Sequence, residues 1–270
     1  MRAILNFISS TASSELAFSG GGRTRSLTVV RRAASRGLRL TVDPSDATVR
    51  LTLGSRAPLR PALAWAAGKR AWVEAELARL PVAVPIVPGL VFGLGDDRVR
   101  VEWDAENSRT PRLVIPAKAG THLPTQVQEM GPRFRGDDEQ QLQVGGPLEA
   151  LPPRVLRFLR AHALSVLEAE TRQLAADHGI AIGRVGVGDP RTRWGSCASS
   201  GDIRYSWRLI LAPGFVRRAT VAHEVAHRVH MNHGRQFHAL AATLTGADPA
   251  PSRQWLRAHG AALHWFGRDC

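Results

Sequence analysis

The sequence predicts an α+β protein in which helices pack on a small, mostly antiparallel sheet, preceded by a β-rich region. Three observations carry this. Over residues 27–54, and again over 91–103, apolar residues fall in short alternating runs separated by turn-forming clusters, the period of strands. From residue 152 the apolar spacing switches to three and four, the period of helices. A strand-like stretch over residues 180–210 then leads directly into a histidine-rich helix. The 270 residues allow one large or two small domains with ample core.

Residues 1–26 are rich in Ser and Gly and are expected to form a disordered leader. Met1 to Ile8 carries a charge and a brief apolar run, but it passes into Ser and Thr without a clear cleavage site, which argues against a secretory signal. Residues 27–108 are expected to be a β-rich region with one helix. Leu27–Val30, Leu38–Val42 and Val49–Leu53 read as strands, and Asp43-Pro44-Ser45-Asp46 as a hairpin turn. Pro61 to Leu80 reads as an amphipathic helix, with Trp65 and Trp72 expected as core anchors. Val91 to Trp103 returns to strand, with clean alternation from Arg98.

Residues 109–141 fit neither neighbour. Pro111 to Gly120 and Gly131 to Asp138 have no helical or strand period, and both resemble translated interspersed repeats of bacterial genomes. The segment is expected to be an insert at a loop, since closure entropy grows only slowly with loop length. A functional lid is the other reading of a long structureless loop.

Residues 142–270 form the last region. Val155, Leu156, Leu159, Ala163, Val166, Leu167 and Leu174 give one long helix an apolar face, stopped near Asp177-His178-Gly179. Ile180 to Val187 and Ile203 to Ile210 read as strands, joined through the compact turn Arg193-Trp194-Gly195-Ser196-Cys197. Trp194 is expected to pack and Gly195 to permit a tight backbone turn. Three helices follow, the last two over about Arg235–Leu244 and Pro251–Trp265.

The first of those three carries the chemistry. His223-Glu224-Val225-Ala226-His227 is an H-E-x-x-H pattern, and residues four apart lie on one face of a helix. Two imidazoles so placed can hold one Zn²⁺, with Glu224 beside the metal and free to act as a general base toward a water molecule. Catalytic zinc sites use three protein ligands and keep one open position. His233 is the favoured third ligand, because Asn232-His233-Gly234 reads as a helix stop that could turn it back. His230 competes for that position but would place three ligands on one straight helix. Cys197 is left out of the metal set as a small, partly buried thiol. Tyr205, the only tyrosine, is expected to pack.

Arg193-Trp194-Gly195-Ser196-Cys197, then Tyr205-Ser206-Trp207 through Pro213, then Ala222 to His227, and finally Asn232-His233 with Phe237, together resemble the YgjP-like metallopeptidase family, a relative of the SprT-like and Wss-type zinc proteases. The specific likeness covers residues 180–245, and a weaker one residues 27–103. It implies a zincin-like fold over residues 142–270, zinc on His223, His227 and His233, and Glu224 as the catalytic residue. Two positions depart from the family pattern. Arg218-Ala219 stands where the family commonly has Asp-Tyr, and Ser206 where it usually has Asn. The metzincin pattern is a poorer match, since His230 stands in place of its Gly and no methionine follows Met231.

The expected function is therefore a zinc-dependent metallopeptidase acting on a protein or peptide. A non-catalytic zinc scaffold is the bland alternative, opposed by the intact Glu224. The net charge of +13 leaves nucleic acid open as a partner, as in DNA-recruited relatives of this family. However, Lys69 and Lys118 are the only lysines, and an arginine excess with abundant Ala and Gly is also what a GC-rich genome produces. No apolar stretch approaches the roughly 20 residues a membrane span needs. Two cysteines give no disulfide framework and suit a reducing cytoplasm. The sequence does not indicate an oligomeric state.

Overall fold

The computed structural model describes residues 13–114 and 139–268. The fold is mixed α+β, and the chain divides into two compact units between Val82 and Ala83.

The first unit is a four-stranded sheet with two helices. Strands β1 (Ser13–Gly20), β2 (Arg23–Arg32), β3 (Arg39–Val42) and β4 (Val49–Gly54) lie in the order β1-β2-β4-β3. β2 and β4 run parallel and the other pairs antiparallel. Thus β1 and part of β2 occupy the range read from sequence as an unstructured leader. The Ser- and Gly-rich strand has a faint apolar signature, with Phe18 its one core side chain among those described. The expected hairpin turn joins β3 to β4: Asp43 Oδ1 accepts from Ser45 N at 2.9 Å and from Ser45 Oγ at 2.6 Å.

The single helix expected over 61–80 is two, α1 (Leu59–Ala67) and α2 (Arg70–Arg79), broken at Gly68-Lys69. Trp65 and Trp72 are not core anchors. They stay 38% and 44% exposed, while Ala62, Ala66, Val73 and Leu77 form the buried face. A seven-residue spacing puts two residues on one face only of an unbroken helix, and the break at Gly68-Lys69 separates them.

The second unit holds two sheets and the remaining helices. β5 (Val91–Leu94), β6 (Asp97–Trp103), β7 (Arg112–Val114) and β8 (Gln140–Val144) lie in the order β5-β6-β8-β7. β6 and β8 are parallel, and β7 and β8 are antiparallel. Of the segment read as a structureless insert, residues 112–114 form strand β7 and residues 140–141 begin β8, paired with each other in the sheet, while residues 115–138 lie outside the described residues.

Helix α3 (Leu151–Asp177) has Pro at its first turn, where a missing N–H costs nothing. It buries Leu151, Val155, Leu159, Ala163, Leu167, Thr171 and Ala175, a stripe repeating every four residues. Gly179, at φ 64°, follows its end. β9 (Val185–Gly188), β10 (Gly195–Cys197) and β11 (Ile203–Ser206) then make a three-stranded sheet in the order β10-β11-β9. β11 runs antiparallel to β10 and parallel to β9.

The strand expected to reach Ile210 ends at Ser206, whose hydroxyl accepts from Arg208 N and starts a buried 3₁₀ turn, Trp207–Leu211. Helices α4 (Gly214–Ala226), α5 (Arg235–Thr245) and α6 (Ala250–Trp265) complete the unit. No helix of the described residues is long and apolar enough to cross a membrane.

Candidate metal centre

Helix α4 is fixed at its start and along one side. Its first residue, Gly214, donates its backbone N–H to Asp96 Oδ1 at 2.7 Å, so the β5–β6 hairpin satisfies a donor that a helix start leaves free. Arg217 pairs with Glu170 of α3 at 2.8 Å, with both side chains largely buried. Val216, Val221, Ala222, Val225 and Ala226 pack into the core. The helix therefore cannot rotate without exposing apolar surface, and His223 and Glu224 are held at its last turn.

The chain leaves the helix earlier than the sequence suggests. His227 is the C-terminal cap, and the turns Arg228 N to Val225 O and Val229 N to Ala226 O follow it. Val229, one helical turn beyond the buried Val225, is 52% exposed. The reversal that brings His233 back is made by these tight turns. Gly234 has extended backbone and starts α5, so it supplies no left-handed stop.

The ligand atoms of His223, His227 and His233 all lie within 4.8 Å of one another, an arrangement that could hold a metal ion. Among the described residues no other trio of His, Cys, Asp or Glu comes so close. His230 is not in the group. Its backbone carbonyl instead faces His227 Nδ1 at 3.2 Å. With the proton on Nδ1, that contact leaves Nε2 of His227 as the free lone pair, a common way of orienting a ligand imidazole.

Three imidazole nitrogens are a donor set suited to zinc and to other borderline metal ions. His223 Nε2 and His233 Nε2 are 3.1 Å apart. Bonds of about 2.0–2.1 Å in tetrahedral geometry call for about 3.3–3.4 Å between ligand nitrogens. Phe237, fully buried at the start of α5, backs the cluster, with its ring centroid 4.8, 4.5 and 4.6 Å from those of His223, His227 and His233. Burial, with the neighbouring His227, His233, Arg253 and His238, pushes the pKa of His223 down to about 4. Burial also lowers that of His227. Both rings are thereby held neutral, the state in which imidazole binds metal.

Glu224 is 4% exposed and is not one of the three. Burial raises its pKa to about 7, against the opposing charge of Arg193. Its carboxyl group lies against Gly195 of β10: an added Cβ there would sit 2.6 Å from Glu224 Cγ and 2.7 Å from Cδ. Gly195 does not have positive φ, so its need for glycine is space rather than a tight turn. Sequence reasoning missed this contact, because it joins two motifs that only the fold brings together. Trp194 packs as expected, against Gly260 and His264 of α6.

The remaining candidates are structural. Tyr205 is fully buried and its hydroxyl lies 3.0 Å from Thr171 Oγ1 on α3. Cys197 lies outside the trio, and burial pushes its thiol pKa up. Arg208 is buried and donates to Asp189 Oδ1 at 2.7 Å, to Leu263 O at 2.6 Å and to Phe266 O at 3.1 Å, tying the exit of β9 to the end of α6.

A cavity of about 250 Å³ lies beside His223 and Glu224, lined further by Ala219, Phe237, Ala241 and Leu256. β10 is one of the two outer strands of its sheet. Comparison with known proteins adds one finding: a family model described as YgjP-like, metallopeptidase domain, matches residues 36–259. No curated protein and no solved structure matches the chain.

Proposed function

The chain belongs to the YgjP-like metallopeptidase family, and on that premise we propose that it is a zinc-dependent peptidase in which His223, His227 and His233 hold the metal and Glu224 is the general base. The observation that carries this reading is the convergence of three imidazoles, those of His223 and His227 held neutral by burial, with the buried carboxylate of Glu224 on the same helical turn. The packing of α4 against α3 and α5 beside a three-stranded sheet supports a zincin-like form for this unit.

When bound, zinc supplies Lewis acidity toward a substrate carbonyl and toward a water molecule. The chain's own groups do the rest. Glu224 takes a proton from the attacking water at its carboxylate and returns it to the departing amine as the C–N bond breaks. Its pKa, raised by burial, suits both halves of that transfer. Gly195 leaves room for the carboxylate to lie between α4 and the strand. The His230 carbonyl and the Phe237 ring hold the imidazoles in place. The free edge of β10 offers backbone groups on which an extended peptide can lie as an added strand.

The test is Glu224→Gln in the full chain. The variant should keep its zinc, because the amide replaces no ligand, yet cleave peptides about 10²–10⁴-fold more slowly. Cleavage at the wild-type rate would remove Glu224 from the mechanism.

A further inference from the structure

Two hollows in the second unit adjoin at Arg193. The cavity beside His223 and Glu224 is walled by Arg193 and Arg253. A second, of about 690 Å³, runs along the β9–β11 sheet and is walled by Arg184, Arg193 and Arg204. Four arginines thus face this trough, against the carboxylates of Asp202 and Glu224. Asp202 lies 4.0 Å from Arg184 and partly offsets it. Arg193, Arg204 and Arg253 are exposed and make no ion pair among the described residues. By contrast Arg172, Arg208 and Arg217 of the same unit are each matched to a carboxylate at 2.7 to 2.8 Å.

A concave surface of one sign focuses its field and concentrates an oppositely charged partner. Each of these guanidinium groups also presents a planar fork of donors that matches a carboxylate, with Arg193 shared with the Glu224 charge. Resting on the reading of this site as a peptidase centre, we propose that its substrate is an acidic polypeptide segment, with Asp or Glu on both sides of the scissile bond engaging Arg193, Arg204 and Arg253. A polypeptide is favoured over a nucleic acid for two reasons. The outer edge of β10 offers strand pairing to an extended peptide. The hollow along the sheet has no aromatic side chain in its lining, and the two aromatics of the adjoining cavity are already packed, Trp194 on His264 and Phe237 on the three histidines, whereas single-stranded nucleic acid is held by stacking on aromatics.

The test uses the full zinc-loaded chain and peptides of one backbone sequence in acidic, neutral and basic versions. The acidic peptide should be cleaved about tenfold faster in kcat/KM than the neutral one at low salt, with the gap closing as salt screens it. The triple variant Arg193→Glu, Arg204→Glu, Arg253→Glu should lose or reverse that preference while keeping zinc and thermal stability. Equal cleavage of all three peptides by the wild type would overturn the proposal. Binding to Glu224→Gln, read by fluorescence anisotropy of the labelled acidic peptide, separates this proposal from the peptidase reading. Selective binding without cleavage by the wild type would end the peptidase reading and leave the acidic ligand standing. A single-stranded oligonucleotide that displaces the peptide and binds more tightly, or an absence of any charge-selective binding, would overturn the acidic-peptide proposal.

Discussion

Gly195 and Glu224, from an outer strand and a helix, touch so closely that a methyl group on Gly195 would overlap the Glu224 side chain, 2.6 Å from Cγ. Backbone stands on one side of this contact and the proposed general base on the other. The atoms met are the end of the Glu224 side chain, so the carboxylate must give way, because its helix is pinned by Asp96 and Glu170.

Gly195→Ala should therefore displace Glu224 without touching a metal ligand. Misplacing a reacting group by an ångström can cost about 10²-fold in rate, and a loss of that size in kcat is expected. Zinc content should stay at the wild-type level. Near-normal activity in this variant would mean that the carboxylate tolerates the shift and is not positioned by the strand.

Tyr205 is expected to contribute to stability alone. Its hydroxyl lies 3.0 Å from Thr171, which in turn donates to Leu167 O at 2.6 Å, all inside the core. Tyr205→Phe should lower stability by about 1 kcal/mol in denaturant unfolding. Its kcat/KM should match the wild type, and a large loss of kcat would instead assign the phenol a part in the reaction.

The clamp formed by Arg208 and Asp189 predicts a pH dependence. Burial works against the Asp189 charge, but the hydrogen bond and charge of Arg208 outweigh it and hold the carboxyl below its ordinary value. A carboxyl depressed in the folded state adds stability that is present above its unfolded pKa of about 3.9 and lost as pH falls through the folded value. The wild type should lose Tm on acidification through that window. Asp189→Asn should be less stable at neutral pH by about 2 kcal/mol, a discounted figure because Asp189 is partly exposed. Its Tm should also vary less with acid, and parallel Tm–pH curves for the two proteins would contradict the clamp.

Much of the site was legible because its spacing is local. Four residues on a helix put His223 and His227 on one face whatever the fold, and the nearby His233 needed only a chain reversal. The means of reversal was not legible, since the turns after Ala226 depend on the His230 carbonyl meeting a side chain. Gly195 was assigned a turn because sequence shows the glycine but not Glu224 against it. Likewise the seven-residue spacing of Trp65 and Trp72 does not reveal the break at Gly68-Lys69, which puts them on separate helices whose buried residues are Ala62 and Ala66 on one and Val73 and Leu77 on the other. Strand β1 escaped notice because pairing with β2, rather than apolar alternation, defines it.

Zinc stoichiometry in single-histidine variants of the full chain tests the central claim most directly. One zinc per chain is expected in the wild type and in His230→Ala, whose replaced ring is outside the cluster. Elemental analysis should show zinc lost from His223→Ala, His227→Ala and His233→Ala. Full zinc occupancy in His233→Ala, with loss in His230→Ala, would contradict the account.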